Sequence, residues 1–289
     1  MRAKVDLIER IKAKESKFSK GQRKLADYIL KEYDKAAFLT ASKLGKAAGV
    51  SESTVVRFAY ELDYDGYPQL QKAMNVIVKT QSSSLQRLEG AVERYGNENP
   101  LKSILKTDTD RIRETIAEID EDEFSRAVES IVSARKVYII GARSSGFLAE
   151  FLGYYLRMIL DDVHIVDFNG EVGVFEQIHR IQPEDVFIGI SFPRYSRITA
   201  QVQHFASRAG ATTIAITDSM QSPMTSRSKI NLIAKSDVMA VVDSLTAPLS
   251  VINALAVAIS IRLKDQVSER FKILEEMWKE YDIYDKKLL

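Results

Sequence analysis

Between Ser51 and Arg57 the chain sets three short hydroxyl side chains and one guanidinium within seven residues. Ser51, Ser53, Thr54 and Arg57 fall on the polar side of a helical pattern whose apolar positions are Val55 and Phe58. Hydroxyls bond phosphates or base edges, and arginine reaches guanine with two parallel bonds, so the set suits double-stranded DNA. Lys43 and Lys46 just upstream, and Lys20, Arg23 and Lys24 before them, add cations for the phosphate backbone. Two later segments carry a different chemistry. Ser144 and Ser145 in GARSSG, and Ser191, Arg194 and Ser196 in SFPRYS, each follow an apolar run and precede a helical pattern. Free helix-start amides, the helix dipole and clustered hydroxyls together favour an anion, phosphate above all, and an arginine could close the site. A serine-rich turn is equally an ordinary cap, so each loop alone decides nothing. Two such loops on one sheet favour the anion.

The elements that must hold these residues can be read from spacing. Ser19 caps an amphipathic helix to Ala36 bearing Leu25, Ile29, Leu30 and Tyr33. Thr40 caps a short helix carrying Leu44 and Ala47, and Gly49 supplies the left-handed residue that ends it. Ser51 caps the next helix, with Gly45 letting the two backbones approach. This is a helix-turn-helix, whose second helix presents its N-terminal residues to the major groove. A helical bundle used only for packing or protein contacts is the alternative. QSSSLQRLEGAVERYGNENP, residues 81–100, reads as a connection containing some helix. Helical patterns follow at Leu101 to Ile119 and at Glu123 to Ser133, the second with Asp120 and Glu123 as a capping box. Short apolar runs then alternate with helices, at Val137 to Ile140, Val163 to Val166, Val186 to Ile190, Thr213 to Thr217, Ile230 to Ile233 and Val238 to Val242. Such alternation implies a parallel sheet covered on both faces, with ligands at the carboxyl ends of the strands. The expected organisation is an all-α helix-turn-helix domain over residues 1–80, a linker over 81–105, and a doubly wound α/β domain with a five-stranded parallel sheet over 106–289.

Composition narrows the function classes. With 289 residues, 45% hydrophobic and 28% charged, the chain suits two folded domains. It has no cysteine, which removes disulfides, thiolate metal sites and cysteine nucleophiles. The charged N-terminus lacks the apolar core of a secretory signal, and the apolar run Val251 to Ile261 is too short to span a bilayer, so a cytoplasmic protein without a membrane partner is expected. Residues 1–80 hold 16 Lys and Arg against 10 Asp and Glu, whereas the remainder holds 25 against 30. The basic end suits a polyanion. A dinucleotide loop would need Gly where Arg143 stands, and a P-loop would need Gly-Lys-Ser/Thr where Gly146, Phe147 and Leu148 stand, so no nucleotide cofactor is expected. His164, His179 and His204 are scattered singly, without metal-ligand spacing.

With both halves read, the chain resembles the RpiR family of bacterial regulators. LGKAAGVSESTVVRFAYELDYDGYPQLQ is similar to that family's helix-turn-helix with its Gly66 to Pro68 continuation. IIGARSSG, ISFPRYS and RAGATTIAITDSMQSP resemble the sugar isomerase (SIS) domain. The resemblance implies a transcriptional regulator of carbohydrate metabolism, forming homodimers or homotetramers through the SIS domain, with a phosphorylated sugar as effector. It carries Ser144 and Ser145 onto the family's first serine pair, and Ser191 and Ser196 onto the ends of its second loop. Many SIS loops read Ser-x-Ser-Gly-x-Thr there, and this one has Phe192, Pro193, Arg194 and Tyr195 between its two serines.

A phosphosugar aldose-ketose isomerase with a DNA-binding appendage is the competing reading, and a protein-interaction adaptor a third. An isomerase needs a general base beside the phosphate, for which Glu171 and His179 are the candidates. The expectation is a regulator without catalytic residues, whose two-fold heads read an inverted-repeat operator.

Overall fold

The computed structural model describes residues 2–81, 83–95, 99–168, 170–239 and 241–284. The chain forms two compact units: Met1–Thr107 with Pro193–Tyr195 and Asp237–Ser244, and Asp108–Phe192 with Ser196–Ser236 and Leu245–Leu289. The first unit is built from helices α1 (Arg2–Lys14), α2 (Lys20–Lys31), α3 (Tyr33–Ala36), α4 (Ala41–Ala48), α5 (Glu52–Glu61), α6 (Tyr67–Gln81) and α7 (Ser84–Tyr95). Its starts and stops are written locally. Ser19 caps α2 in a reciprocal arrangement with Gln22, Thr40 caps α4 and Ser51 caps α5, while Gly49 closes α4 at φ 68°. Leu7, Ile11, Leu25, Ile29, Leu44, Val55, Phe58, Leu70 and Met74 are buried together as its core.

Two features depart from the sequence reading. The helix expected to run to Ala36 breaks at Glu32 (φ −125°, ψ 40°), and Leu30 is 40% exposed because it lies about 100° around the axis from buried Ile29. Helix α1 is not among the elements read from the sequence; Leu7 and Ile11, one turn apart, are buried in the core and Ile8 packs against it, among many charged residues.

In the second unit, α8 (Pro100–Glu118), which enters from the first, and α9 (Glu121–Val132) precede β1 (Val137–Gly141), α10 (Ser144–Ile159), β2 (Val163–Ile165), α11 (Glu171–Ile178), β3 (Val186–Ile190), α12 (Arg197–Arg208), β4 (Thr212–Thr217), β5 (Ile230–Ile233), α13 (Thr246–Arg262) and α14 (Lys264–Glu280). The five strands are parallel in the order β2-β1-β3-β4-β5, the doubly wound sheet expected. Alternate side chains go to opposite faces: Val137, Ile139, Ile188 and Ile216 pack with residues of α9, α10 and α13, whereas Tyr138, Ile140 and Phe187 pack with residues of α11 and α12. At the start of α9, Asp120 accepts from the amides of Asp122 and Glu123, but the return arm of the expected capping box is absent. The Glu123 carboxylate instead accepts from the Asn231 amide of β5 at 2.8 Å. Of α13, Val251, Ile252, Leu255 and Ile259 are buried and Val257 and Ile261 exposed; no residue of α14 is buried.

The run Val238 to Val242, expected to be one more strand, is instead an antiparallel hairpin of β6 (Asp237–Met239) and β7 (Val242–Ser244) outside the sheet. It groups with the first unit, where β6 packs on α7 and Asp243 meets Arg87 at 3.0 Å. No single helix among the described residues is long and apolar enough to cross a membrane.

Candidate functional site

In the first unit, α4 and α5 form the helix-turn-helix. A Cβ on Gly45 would lie 2.9 Å from the Val50 carbonyl oxygen, so any side chain there would push the helices apart. The entry to α4 is braced from α6, where the buried Tyr67 hydroxyl donates to the Leu39 carbonyl at 2.6 Å and Gln71 donates to the same oxygen at 2.7 Å. Burial pushes the Tyr67 hydroxyl pKa up to about 12, which keeps it a donor. This gives Tyr67 of the Gly-Tyr-Pro continuation a structural task.

Ser51, Ser53 and Thr54 come together at the N-terminus of α5. The Ser51 hydroxyl oxygen lies 2.9 Å from those of both Ser53 and Thr54, and it also accepts the Thr54 amide. Arg57 is exposed one turn later and donates from Nε to the Ser53 carbonyl at 3.2 Å. Lys43 is exposed on α4, as are Lys46, Lys20, Arg23 and Lys24 on their helices. Thr54 is half-buried rather than fully outward, because α2 passes close: a Cβ on Gly21 would stand 3.4 Å from its methyl. Ala47, expected inward on α4, is exposed.

In the second unit the strand order reverses between β1 and β3, which makes their carboxyl ends a topological switch point. Ser144 and Ser145 follow β1, and Ser191 and Ser196 follow β3, so the fold brings both serine pairs to that end. The loop after β3 is cross-braced. The Ser191 hydroxyl accepts the Ser196 amide at 3.1 Å, the Ser196 hydroxyl accepts the Thr199 amide at 3.2 Å, and the Thr217 hydroxyl of β4 donates to the Ser191 carbonyl at 2.8 Å. A hydroxyl that accepts an amide still has its own proton to donate, so these caps remain competent to bind an anion. The amides of Arg197 and Ile198, in the first turn of α12, have no intrahelical acceptor.

The loop after β1 differs from expectation. The amides of Ser145 and Gly146, expected to be free, donate to the carbonyls of Ala142 at 3.1 Å and Arg143 at 2.9 Å, and Ser145 is buried. Arg143 caps α10 at φ 57°, a left-handed conformation that a non-glycine residue adopts at a cost. No residue type near Arg143 signals that strain. Arg194 is exposed and falls in Pro193–Tyr195, the stretch that groups with the first unit.

The three histidines have structural partners. His164 meets Asp162 at 2.8 Å and stacks on Tyr138, His179 Nδ1 lies 2.6 Å from the Glu176 carbonyl, and His204 faces Arg227. Burial, then Arg227 and Arg208, hold the His204 pKa below its ordinary value. Glu171 opens α11. Among the described residues no group of three or more His, Asp or Glu is placed to hold a metal ion.

Residues 5–81 match the helix-turn-helix domain of the rpiR family, and residues 130–258 match the SIS domain. An HTH-type transcriptional regulator of Haemophilus influenzae is 27% identical over 222 residues, which is 76% of this chain and 76% of that protein. The HTH-type transcriptional regulator HexR of Pseudomonas aeruginosa is 25% identical over 263 residues, 89% of this chain and 90% of its own length. Among solved structures, the sugar isomerase domain of an RpiR transcription factor from Sphaerobacter thermophilus covers 61% of this chain and 98% of itself at 24% identity and TM-score 0.58. The Vibrio vulnificus NanR protein, complexed with ManNAc-6P, covers 94% and 98% at 21% identity and TM-score 0.57.

Proposed function

This chain belongs to the RpiR family of DNA-binding transcriptional regulators with a SIS domain, and from that premise we propose that it reads an inverted-repeat operator through Ser51, Ser53, Thr54 and Arg57 and answers to a phosphorylated sugar. The observation that carries the DNA reading is the exposed hydroxyl cluster at the N-terminus of α5 with Arg57 one turn behind it. Lys43 serves as a phosphate contact on the helix that crosses the backbone. Two copies related by a two-fold axis, a homodimer or a pair within a homotetramer, present two such heads. Arg57→Ala is expected to weaken binding by about 1–3 kcal/mol on the duplex that the wild-type chain enriches from a random pool, with little change on a scrambled duplex. Lys43→Ala is expected to weaken both and to lower the slope of log K against log salt by about 0.9. Fluorescence anisotropy across a salt series measures all of these, and an Arg57→Ala variant with wild-type affinity overturns the assignment.

The effector reading rests on the switch point that gathers Ser144, Ser145, Ser191 and Ser196. It is supported by the SIS match and by NanR, whose bound ligand is a phosphosugar. Arg194, two residues before Ser196, is the cation that the loop's sequence offers for an anion. Effector binding needs only to favour one arrangement of the heads by about 1–3 kcal/mol. A sugar phosphate at a hundredfold excess over its Kd is expected to add about 2.7 kcal/mol of stability, read as a raised Tm, while the unphosphorylated sugar adds none. A panel of sugar phosphates that leaves Tm unmoved sinks this reading. A regulator without turnover is the reading that the relatives' names support, and His179, one of the two candidate bases, has Nδ1 2.6 Å from the Glu176 carbonyl while Nε2 accepts from Arg180 Nε at 3.2 Å. Isomerisation of any panel member would restore the enzyme reading.

A further inference from the structure

Helix α5 ends on a left-handed residue, Asp63 at φ 60°. The Asp63 amide donates to the Tyr60 carbonyl at 3.0 Å and the Tyr64 amide to the Ala59 carbonyl at 3.0 Å, which closes the last turn. The next carbonyls, Glu61, Leu62 and Asp63, are beyond the reach of that closure. All three are taken by α1. Arg10 Nη1 donates to Leu62 O at 2.7 Å and to Asp63 O at 3.0 Å, and Lys14 Nζ donates to Glu61 O at 2.6 Å and to the Asp63 carboxylate at 2.8 Å. The Arg10 guanidinium also lies 4.8 Å from the centre of the Tyr64 ring, and the hydrogen bond from Lys14 holds the Asp63 carboxyl below the ordinary range. Positions 10 and 14 stand one turn apart on one face of α1, so a single helix surface grips the carbonyl end of another, where cations also meet the favourable end of the dipole.

We propose that Arg10 and Lys14 are positioning residues for DNA recognition: they fix the far end of α5, and so the pitch at which its hydroxyl cluster and Arg57 meet the bases. The proposal rests on α5 being the recognition helix. A ten-residue helix is about 15 Å long, so freeing one end tilts the other. Groups that read base edges must be held to within about 0.5 Å and 10–20°, whereas contacts to phosphate tolerate more. Specific binding is therefore more sensitive to the clamp than non-specific binding.

The test compares full-length wild type with Lys14→Met, Lys14→Arg and the double variant Arg10→Gln/Lys14→Gln. The probes are the duplex that wild type enriches from a random pool and a scrambled duplex of the same length. The double variant is expected to bind the enriched duplex about tenfold more weakly, with scrambled binding and the salt slope unchanged. Lys14→Met is expected to show a smaller loss that Lys14→Arg restores, and amide hydrogen exchange at residues 62–64 should quicken in step. Two results overturn the proposal. Equal weakening on both duplexes with a shallower salt slope makes these residues phosphate contacts, and a lowered Tm with unchanged discrimination below melting makes them merely structural. If Arg57→Ala is itself without effect, the recognition-helix assignment fails instead, and the two failures are distinct. Should the double variant not fold, the Lys14 pair carries the same comparison.

Discussion

Arg87→Ala is expected to destabilise the first unit by about 3–5 kcal/mol, because it removes the guanidinium that faces the Asp243 carboxylate in a largely buried place. Arg87 on α7 is 7% exposed and meets Asp243 of the β6–β7 hairpin at 3.0 Å, where the carboxylate side chain is 20% exposed. The two residues are 156 positions apart, so the pair fastens a segment that lies between β5 and α13 in sequence onto α7, two helices beyond the helix-turn-helix. Removing one charge differs in kind from removing both. A buried pair can often be replaced by apolar residues at little cost, so Arg87→Met with Asp243→Leu should recover most of the loss. In a domain of this size the single variant lowers Tm by more than about 10 °C. Thermal and urea melts of the full-length chain decide it. A single-variant cost under about 1 kcal/mol would mean that the pair is screened like a surface salt bridge.

That hairpin also marks where the sequence stopped being readable. Val238 and Val242 have the side chains of a sheet strand, and nothing local distinguishes a sixth strand from two short antiparallel ones. The contacts that the hairpin makes, Arg87 with Asp243 among them, are with residues far away in sequence. By contrast, the helix-turn-helix was legible residue by residue, because caps, a left-handed glycine and a close helix approach are decided within a few positions: Thr40, Gly45, Gly49 and Ser51 do what their types predict. The clamp of Arg10 and Lys14 was not legible, since it joins residues some fifty apart and α1 carries little apolar patterning. The serine loops lie between these cases. Their position at the switch point follows from the alternation of strands and helices, and Ser191 and Ser196 are caps as well as candidate ligands, so the two readings set against each other in the sequence describe the same hydroxyls. What sequence could not supply is which amides stay open. The tight turn at Arg143 consumes those of Ser145 and Gly146, so in the proposed scheme the open amides for an anion are those at the start of α12.

The geometry of that tight turn makes two neighbouring glycines respond oppositely. A Cβ on Gly141, the last residue of β1, would stand 2.2 Å from the carbonyl oxygen of Ser145 and 2.6 Å from its carbonyl carbon. Both are backbone atoms, so Gly141→Ala cannot be absorbed by rotating a side chain and must drive the first turn of α10 off the strand, carrying Ser144 and Ser145 with it. Overpacking of this kind costs about 1–3 kcal/mol or more. On the proposed assignment of Ser144 and Ser145 to the effector site, moving their turn beyond about 0.5 Å should also reduce sugar-phosphate affinity by at least tenfold. Gly146 lies inside α10, and its Cβ would meet the Gly141 carbonyl oxygen at 3.3 Å, a contact that a shift of a few tenths of an ångström relieves. Alanine there also gains roughly 1 kcal/mol of helix propensity, so Gly146→Ala should stay within about 1 kcal/mol of wild type in either direction. Urea melts read the stabilities, and the ligand-induced rise in Tm reads the affinities. Because neither residue touches DNA in the proposed scheme, both variants should keep wild-type discrimination between enriched and scrambled duplex when folded and unliganded. A Gly141→Ala protein as stable and as ligand-responsive as Gly146→Ala would mean that α10 does not start against the end of β1, and the phosphate site would then have to be sought elsewhere on the sheet.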